Sequence, residues 1–507
     1  MYEQAGVPSS TGVAIVGSGF SGLAIAVELK RSGRDDFVVL ERASDVAGTW
    51  RDNTYPGCAC DVPSHLYSFG FAPNPDWSST FSPQAEIYAY IRRVAEEQGL
   101  MPHIRFGIEV EDAHWDDVAQ EWRLGTSRGE IAAKALVSAA GPLSEPAIPD
   151  IPGLSGFKGT IFHSATWDHD HDLTGERVAV IGTGASAIQF VPQIQPKVAQ
   201  LHVFQRTPPW IMPRPDRPLT KVEKRLYRRF PPAQIAMRNA IYWGRELFAV
   251  PMLHHRLSKI IEKAGRRHLE RQVEDPVLRA KLTPDYAPGC KRILVSNDYL
   301  PSLEQPNVEV VTDGIAAVRE HSVVDRSGVE REVDTIILGT GFHVTDLPIA
   351  ERVRGRDGRT LAEHWNGTLT ALRGTTVAGF PNLFFVLGPN TGLGHTSVVL
   401  MAEAQAGYIR QALEHMDRAG VAAIEPRKAA QDAWNDEIQR KSAGTVWLNG
   451  GCHSWYIDRN GKNSTLWPDH TFKFFAALKR FEPAEYRIAP AAVPAPAPAG
   501  APVEVPA

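Results

Sequence analysis

Cysteine is scarce in this chain: Cys58, Cys60, Cys290 and Cys452 are all that 507 residues contain, too few and too scattered for a disulfide scaffold. No run of about 18 apolar residues is present, so no bilayer-spanning helix is expected. Met1–Thr11 lacks a basic region followed by an apolar core, which argues against a signal peptide. Charge of one sign never gathers into a block and the formal net charge is −4, so nucleic acid is not an expected partner. The absence of GxSxG argues against a nucleophile-elbow serine hydrolase. What these absences leave is a cytoplasmic globular protein. Its 43% hydrophobic and 22% charged residues suit that class, and its length implies two or three domains.

The most informative stretch is Val13 to Asp61. Val13-Ala14-Ile15-Val16 reads as a strand that runs into Gly17-Ser18-Gly19-Phe20-Ser21-Gly22. Leu23 to Lys30 then carry apolar residues at helical spacing up to Gly33, and the apolar run Phe37–Leu40 ends on Glu41. In such a strand–turn–helix–strand unit, glycines let the backbone approach a pyrophosphate at a helix N-terminus. Glu41, 24 residues past Gly17 (41 − 17), is placed to accept from a ribose hydroxyl. The following loop, Ala47 to Asp61, combines Gly48, Thr49 and Trp50 with an acid at its end. Gly48 permits close approach to a flat ring system, Trp50 can cover it, and Asp61 adds a fixed charge.

A second unit follows a connector dense in proline, glycine and histidine. Arg177–Ile181 reads as a strand, Gly182-Thr183-Gly184-Ala185-Ser186-Ala187 as the turn, Ile188–Ile194 as the helix and Leu201–Phe204 as the second strand. That strand leads not to an acid but to Gln205-Arg206-Thr207, with Arg206 again 24 residues past the first glycine (206 − 182). An arginine there suits a 2′-phosphate, which favours NADP(H) over NAD(H). Two such units in one chain imply two dinucleotides, most economically FAD first and NADPH second.

The expected fold is therefore α/β, with two Rossmann-like dinucleotide-binding domains and a helical insertion. Residues 1–145 form the first part of the FAD domain and 146–172 a linker. Residues 173–335 form the NADP domain, with the insertion at about 215–285, and 336–487 return to the FAD domain with active-site loops. The Ala/Pro-rich residues 488–507 are expected to be a disordered tail. Within the first domain Ile104–Val110, Ala113–Trp115 and Glu121–Thr126 read as strands of a meander. The insertion is rich in Arg, Lys and His beside several aromatics. A membrane-surface or substrate-access element would look like this, but a helical cap with a solvated basic face is preferred. Asp168 to Asp172 alternate with histidines but lack a third partner at ligand spacing, so no metal is expected. Cys58 and Cys60 have only one residue between them, against the CxxC or CxxxxC spacing of redox-active reductases.

The connector also contains Phe157-Lys158-Gly159-Thr160-Ile161-Phe162-His163-Ser164-Ala165-Thr166-Trp167-Asp168, which fits FxGxxxHxxxW(P/D). Lying between two glycine-rich turns, this resembles the fingerprint of class B flavoprotein monooxygenases, and its Asp168 ending resembles the type I Baeyer–Villiger branch. Ala47–Asp61 resembles that branch's longer loop pattern, (A/G)GxWxxxx(F/Y)P(G/M)xxxD, at every fixed position. The one departure is Ala187 in place of a third glycine. The resemblance implies FAD on Gly17, Gly19, Phe20, Gly22, Glu41, Thr49, Trp50, Asp61, Tyr67 and, through its backbone, Val110. It implies NADP on Thr183 to Gln189, with Arg206, Thr207 and Lys291 around the 2′-phosphate and Trp455 over the nicotinamide nucleotide. His163 is implied to support motion between domains.

The resemblance further implies the chemistry: NADPH reduces the flavin, O2 adds at C4a, and an anionic peroxide attacks a ketone to give an ester or lactone, with sulfoxidation as a side activity. A buried anion needs a cation, and at about 4 Å one offers roughly 4 kcal/mol at an effective dielectric near 20. The pair Lys291-Arg292 entering the apolar run Ile293-Leu294 supplies it. Arg292 is implied to be catalytic, with Asp61 orienting it. The rival readings are a flavin monooxygenase confined to soft nitrogen or sulfur, a flavin-dependent electron-transfer reductase, and a non-catalytic redox sensor. The pocket is expected to come from dispersed loops, near Leu143, Trp210, Leu393 and Trp447. One sequence does not rank ketones by shape.

Overall fold

The computed structural model describes residues 6–490. In its first sheet the strand Ser10–Val16 pairs in parallel with Phe37–Glu41 on one side and with Gly129–Ser138 on the other. These strands are covered on both faces, which is why they read as unbroken apolar runs. Val13, Ile15 and Val39 bury against the helices Phe20–Arg31 and Val398–Ala419. Ala14, Val38 and Leu136 bury on the opposite side with Trp115 and Trp122.

The expected meander is displaced by one strand. Gly107 adopts φ +65° and ends a short strand, Ile104–Phe106, which pairs in parallel with Phe37–Glu41 at the far edge of the sheet. Val110 instead opens the next strand, Val110–Asp116, which forms the antiparallel meander with Glu121–Thr126 and Gly129–Ser138. Ile104–Val110 is therefore two strands on opposite sides of the sheet.

The second sheet is wholly parallel, in the order Val308–Val311, Gln200–Phe204, Arg177–Ile181, Thr335–Leu338, Thr160–His163. Two expected boundaries shift as a result. Thr160–His163, placed in the linker from sequence, is an edge strand of this sheet, and the division at 335 would cut through Thr335–Leu338. The chain then returns to the first sheet through Val353–Arg354 and Leu383–Phe385, the latter pairing with Leu136–Ser138.

The second unit is thus nested inside the first. Its outgoing and incoming connections run side by side: Ala147 N donates to Gly341 O (2.8 Å) and His343 N to Glu145 O (3.0 Å).

The insertion consists of the helices Lys221–Arg229, Pro231–Leu253, Ser258–Gln272 and Pro276–Lys281. A capping box between Thr220 and Glu223 starts the first, and Pro231 sits in the first turn of the second. Its outer side is more apolar than a solvated basic cap: Val222 is 76% exposed and Leu247 74%. At the other end, Tyr486–Pro490 pairs antiparallel with Val421–Pro426, so Ile488 to Pro490 are strand rather than tail. The rest of the expected tail lies outside the described residues. No helix among the described residues is long and apolar enough to cross a membrane.

Candidate active site

The first glycine turn is part fold and part cradle. A Cβ at Gly22 would lie 1.9 Å from Gly17 O, and one at Gly17 (φ +99°) 2.8 Å from Ala139 O, so the fold itself requires both glycines. Gly19 is different. A Cβ there would meet only the Gly48 and Ala47 backbone at 3.9–4.0 Å, which leaves an opening between the two loops. The helix starting at Phe20 has no side-chain cap and no acid in its first turn, so its leading amides are available to an anion there.

Glu41, 5% exposed, braces this turn. It accepts from Ser18 N (3.0 Å), Ser18 Oγ (2.7 Å) and Ala43 N (3.0 Å), and pairs with Arg51 at 3.2 Å. Ile108 N donates to Glu41 O (2.9 Å), bringing Val110 alongside, while Val110 O is taken by Arg352 (2.9 Å). Trp50 Nε1 donates to Tyr67 Oη (3.0 Å), and Phe20 meets Tyr67 edge-on at 5.2 Å. Thr49 Oγ1 reaches Leu143 O at 3.4 Å.

The second turn is more open. Gly182 (φ +106°) lies against Gly339, where a Cβ would come within 2.4 Å of the carbonyl, whereas a Cβ at Gly184 would meet nothing within 4 Å. Ala185 beside it is exposed and Ala187 fully buried. The helix Ala187–Ile194 follows Ser186 without a side-chain cap or an acid in its first turn. Thr183 Oγ1 contacts Thr207 O at 3.4 Å.

Arg206 is exposed and, among the described residues, in no ion pair. Burial and then the charge of Arg206 hold the Lys291 amine below its usual range, so two cations face one neighbourhood. Lys291 also lies 5.2 Å above the Tyr286 ring. Gln189 also bridges the two units. Its amide accepts from Tyr55 Oη (3.0 Å) and Ala59 N (3.3 Å) and donates to Ala59 O (3.0 Å), so it clasps the first unit's loop.

Where the units meet, Arg292 grips Asp61 across 231 residues, Nε to Oδ2 at 2.9 Å and Nη2 to Oδ1 at 2.7 Å. Asp61 raises the Arg292 guanidinium above its usual range. At Asp61 burial is the largest influence and pushes the carboxyl up, but the Arg292 charge and hydrogen bond together with the Arg245 charge outweigh it, and the carboxyl stays below its usual range. The Arg292 side chain keeps 40% exposure although protein surrounds it, as expected at the floor of a cleft.

Two residues the sequence reading did not single out share this field. Tyr456 is buried, and its hydroxyl is pushed up to about 12 by that burial. Arg245, on the Pro231–Leu253 helix, is held below its usual range by burial and feels both Asp61 and Arg292, yet makes no ion pair among the described residues. A signal for Arg245 did exist: it stands four and seven residues before Ala249 and Met252, both buried, on one helix face.

Trp455 is 44% exposed beside Tyr456, ring centroids 4.4 Å apart. Cys290, next to Lys291, forms a disulfide with Cys452 in that same late loop, a pairing the sequence did not reveal. Burial raises the Cys58 thiol to about 11 and Cys60 further, so both remain thiols at neutral pH. His163 Nδ1 accepts from Ala165 N (3.0 Å), and its ring stands edge-on to Phe342, at the foot of the paired connections. Trp210 and Trp447 pack in one cluster with Tyr286 and Cys290, whereas Leu393 packs in another. A cavity of about 430 Å³ is lined by Arg256, Lys259, Arg266, Tyr286 and Gly450, and neither Asp61 nor Arg292 borders it.

Two uncapped helix starts at glycine cradles, with a carboxylate-held guanidinium between them, are the frame of a flavoprotein that also takes a nicotinamide coenzyme. A family model described as flavin-binding monooxygenase-like matches residues 10–353, and the chain belongs to that family. It is 53% identical over 504 residues to a Baeyer–Villiger monooxygenase of Streptomyces coelicolor, covering 99% of this chain and 96% of that one. A Baeyer–Villiger monooxygenase of Pseudomonas aeruginosa is 48% identical over 484 residues, covering 94% and 91%. Within the wider family the chain belongs with these Baeyer–Villiger monooxygenases. A solved structure of OTEMO in complex with FAD and NADP superposes with a TM-score of 0.86 at 26% identity, covering 94% of this chain and 99% of that one.

Proposed function

We propose that this protein is an FAD-dependent monooxygenase of Baeyer–Villiger type that uses NADPH and O2 to convert ketones to esters or lactones. The observation that carries the reading is the Arg292–Asp61 pair at the meeting of the two cradles. The opening between Gly19 and Gly48 fits the FAD pyrophosphate, with Trp50 and Tyr67 beside the path of the ring. The open turn at Gly184 fits the NADPH pyrophosphate, and the crowded cations Arg206 and Lys291 suit its 2′-phosphate. Bound FAD supplies the redox chemistry, accepting hydride from NADPH and activating O2 for insertion beside a carbonyl.

The chain's own residues govern charge in that cleft. Asp61 occupies Nε and Nη2 of Arg292, which fixes the plane of the guanidinium and leaves Nη1 outside the pair. A cation so held costs no reorganisation when negative charge develops nearby. Arg245, whose charge reaches both Asp61 and Arg292, adds positive charge to the same field. Soft sulfur substrates need less of this stabilisation, so sulfoxidation accompanies ketone oxidation as a side activity. The proposed compartment is the cytoplasm.

Arg292→Ala tests the reading. Ester formation, followed by mass spectrometry on a ketone panel, is expected to fall by about 10³-fold while NADPH oxidation continues. Ester at near wild-type rate in that variant would overturn the role given to Arg292.

A further inference from the structure

We propose that the Cys290–Cys452 bond is a thiol–disulfide exchange site. On this reading a small dithiol or a dithiol protein reduces it, and reduction releases the late loop carrying Trp455 from the segment carrying Lys291 and Arg292. The bond ties residues 162 positions apart. Its two ends differ in access: Cys290 is fully buried, whereas Cys452 is half-buried in a loop whose Gly451, His453 and Trp455 are exposed.

The tether is local and close. A Cβ at Gly450 would lie 2.5 Å from Cys290 Cβ, so glycine is what lets the loop reach the sulfur. Beside the bond, Ala287 N donates to Gly450 O at 2.8 Å. Farther along, Tyr456 N meets Ser454 Oγ, Ile457 N meets Ser454 O, and Tyr456 O accepts from Thr465, all contacts within the late segment itself. Tyr456 and Trp447 stay packed in the cluster around Trp210. Breaking the bond therefore loosens residues 450–455 without dismantling the core beneath them. In the cytoplasm, the compartment proposed above and on which this step rests, a disulfide is characteristically one that opens and closes.

The exchange balances with the dithiol as reductant. One of its thiolates attacks Cys452 Sγ, the accessible sulfur. The bond to Cys290 breaks, and Cys290 leaves as a thiolate and takes up a proton. The second thiol then attacks the mixed disulfide, releasing Cys452 as a thiol and leaving the reductant as a cyclic disulfide. Two electrons and two protons pass to the protein. Cys58 and Cys60 take no part, since burial keeps both protonated.

The test uses the FAD-loaded enzyme and dithiothreitol. Alkylation of the denatured protein, read by mass spectrometry, is expected to modify Cys58 and Cys60 alone before reduction and all four cysteines after it. Reduction is expected to speed hydrogen–deuterium exchange across residues 450–455. It should also weaken NADP⁺ affinity by roughly fivefold or more, the usual span of coupling between sites.

Cys452→Ser is expected to show both changes without dithiothreitol and no further change with it. If that variant folds poorly, titration of the native enzyme still gives both readouts. Four alkylated cysteines before reduction, or reduction that moves neither exchange nor affinity, would overturn the proposal. Thiol count and exchange are independent of the oxygenation chemistry, so failure here is separable from failure of the ketone reading.

Discussion

Glu41 and Arg206 stand at equivalent places, each 24 residues past the first glycine of its turn (41 − 17 and 206 − 182), and the structure treats them in opposite ways. Glu41 is buried and fully committed to Ser18, Ala43 and Arg51. Arg206 is exposed, crowded by Lys291 and in no ion pair among the described residues. The first turn is therefore braced before any ligand arrives, whereas at the second Arg206 and Lys291 crowd each other, with Asp285 offsetting only part of that charge, and a phosphate would relieve the rest. A site of the first kind suits a resident cofactor. One of the second kind suits a coenzyme that must bind and leave in every turnover.

The comparison can be broken in four places, taken from the largest expected effect downward. Acid acts on the committed side. His395, buried between Glu246 and Thr471, is held near 4 by burial, against an ordinary value of 6.5. A depressed folded pKa contributes stability that is full above 6.5 and lost as pH falls toward 4, on the order of 3 kcal/mol for a fully buried group. Melting temperature against pH, in wild type and His395→Gln, should show that acid loss flattened in the variant. Equal slopes would place the acid sensitivity elsewhere.

Next, Glu41→Ala strands Ser18 and Arg51 and should weaken FAD by about 100-fold, read by flavin fluorescence titration. Arg206→Asp should raise the KM for NADPH by roughly 30-fold and leave that for NADH within about twofold. Equal effects on the two coenzymes would count against phosphate recognition there. Smallest, Gly184→Ala meets no protein atom within 4 Å, so the melting temperature should hold while NADP⁺ affinity falls by a few-fold, about 1 kcal/mol. A lowered melting temperature would show that Gly184 serves the fold, as Gly22 does.

Both nucleotide units could be read from sequence because everything that defines them is local: a strand, a turn needing positive φ, a helix start and one residue at the next strand's end. The Arg292–Asp61 pair was reachable only through the resemblance, since its members lie 231 residues apart and neither local pattern points to the other. The Cys290–Cys452 bond was missed for the same reason, with no fixed spacing to betray it. Ile104–Val110 misled because its apolar alternation continues across Gly107, and only the left-handed φ there shows that the chain turns. The division at 335 falls inside the strand Thr335–Leu338 because a buried parallel strand carries no mark of its neighbours. The bridge that the Gln189 amide makes to Tyr55 and Ala59 has no local mark either, since only three-dimensional packing brings that loop to the helix.

The paired connections at Glu145–Ala147 and Gly341–His343 give the nested design a mechanical character. A guest unit held by both ends at one ribbon resembles a door hung on two adjacent pins. Any swing about that line would also have to open the Gln189 clasp and the Arg292–Asp61 grip, so those side chains, and not the ribbon, would set how firmly the guest stays shut against its host.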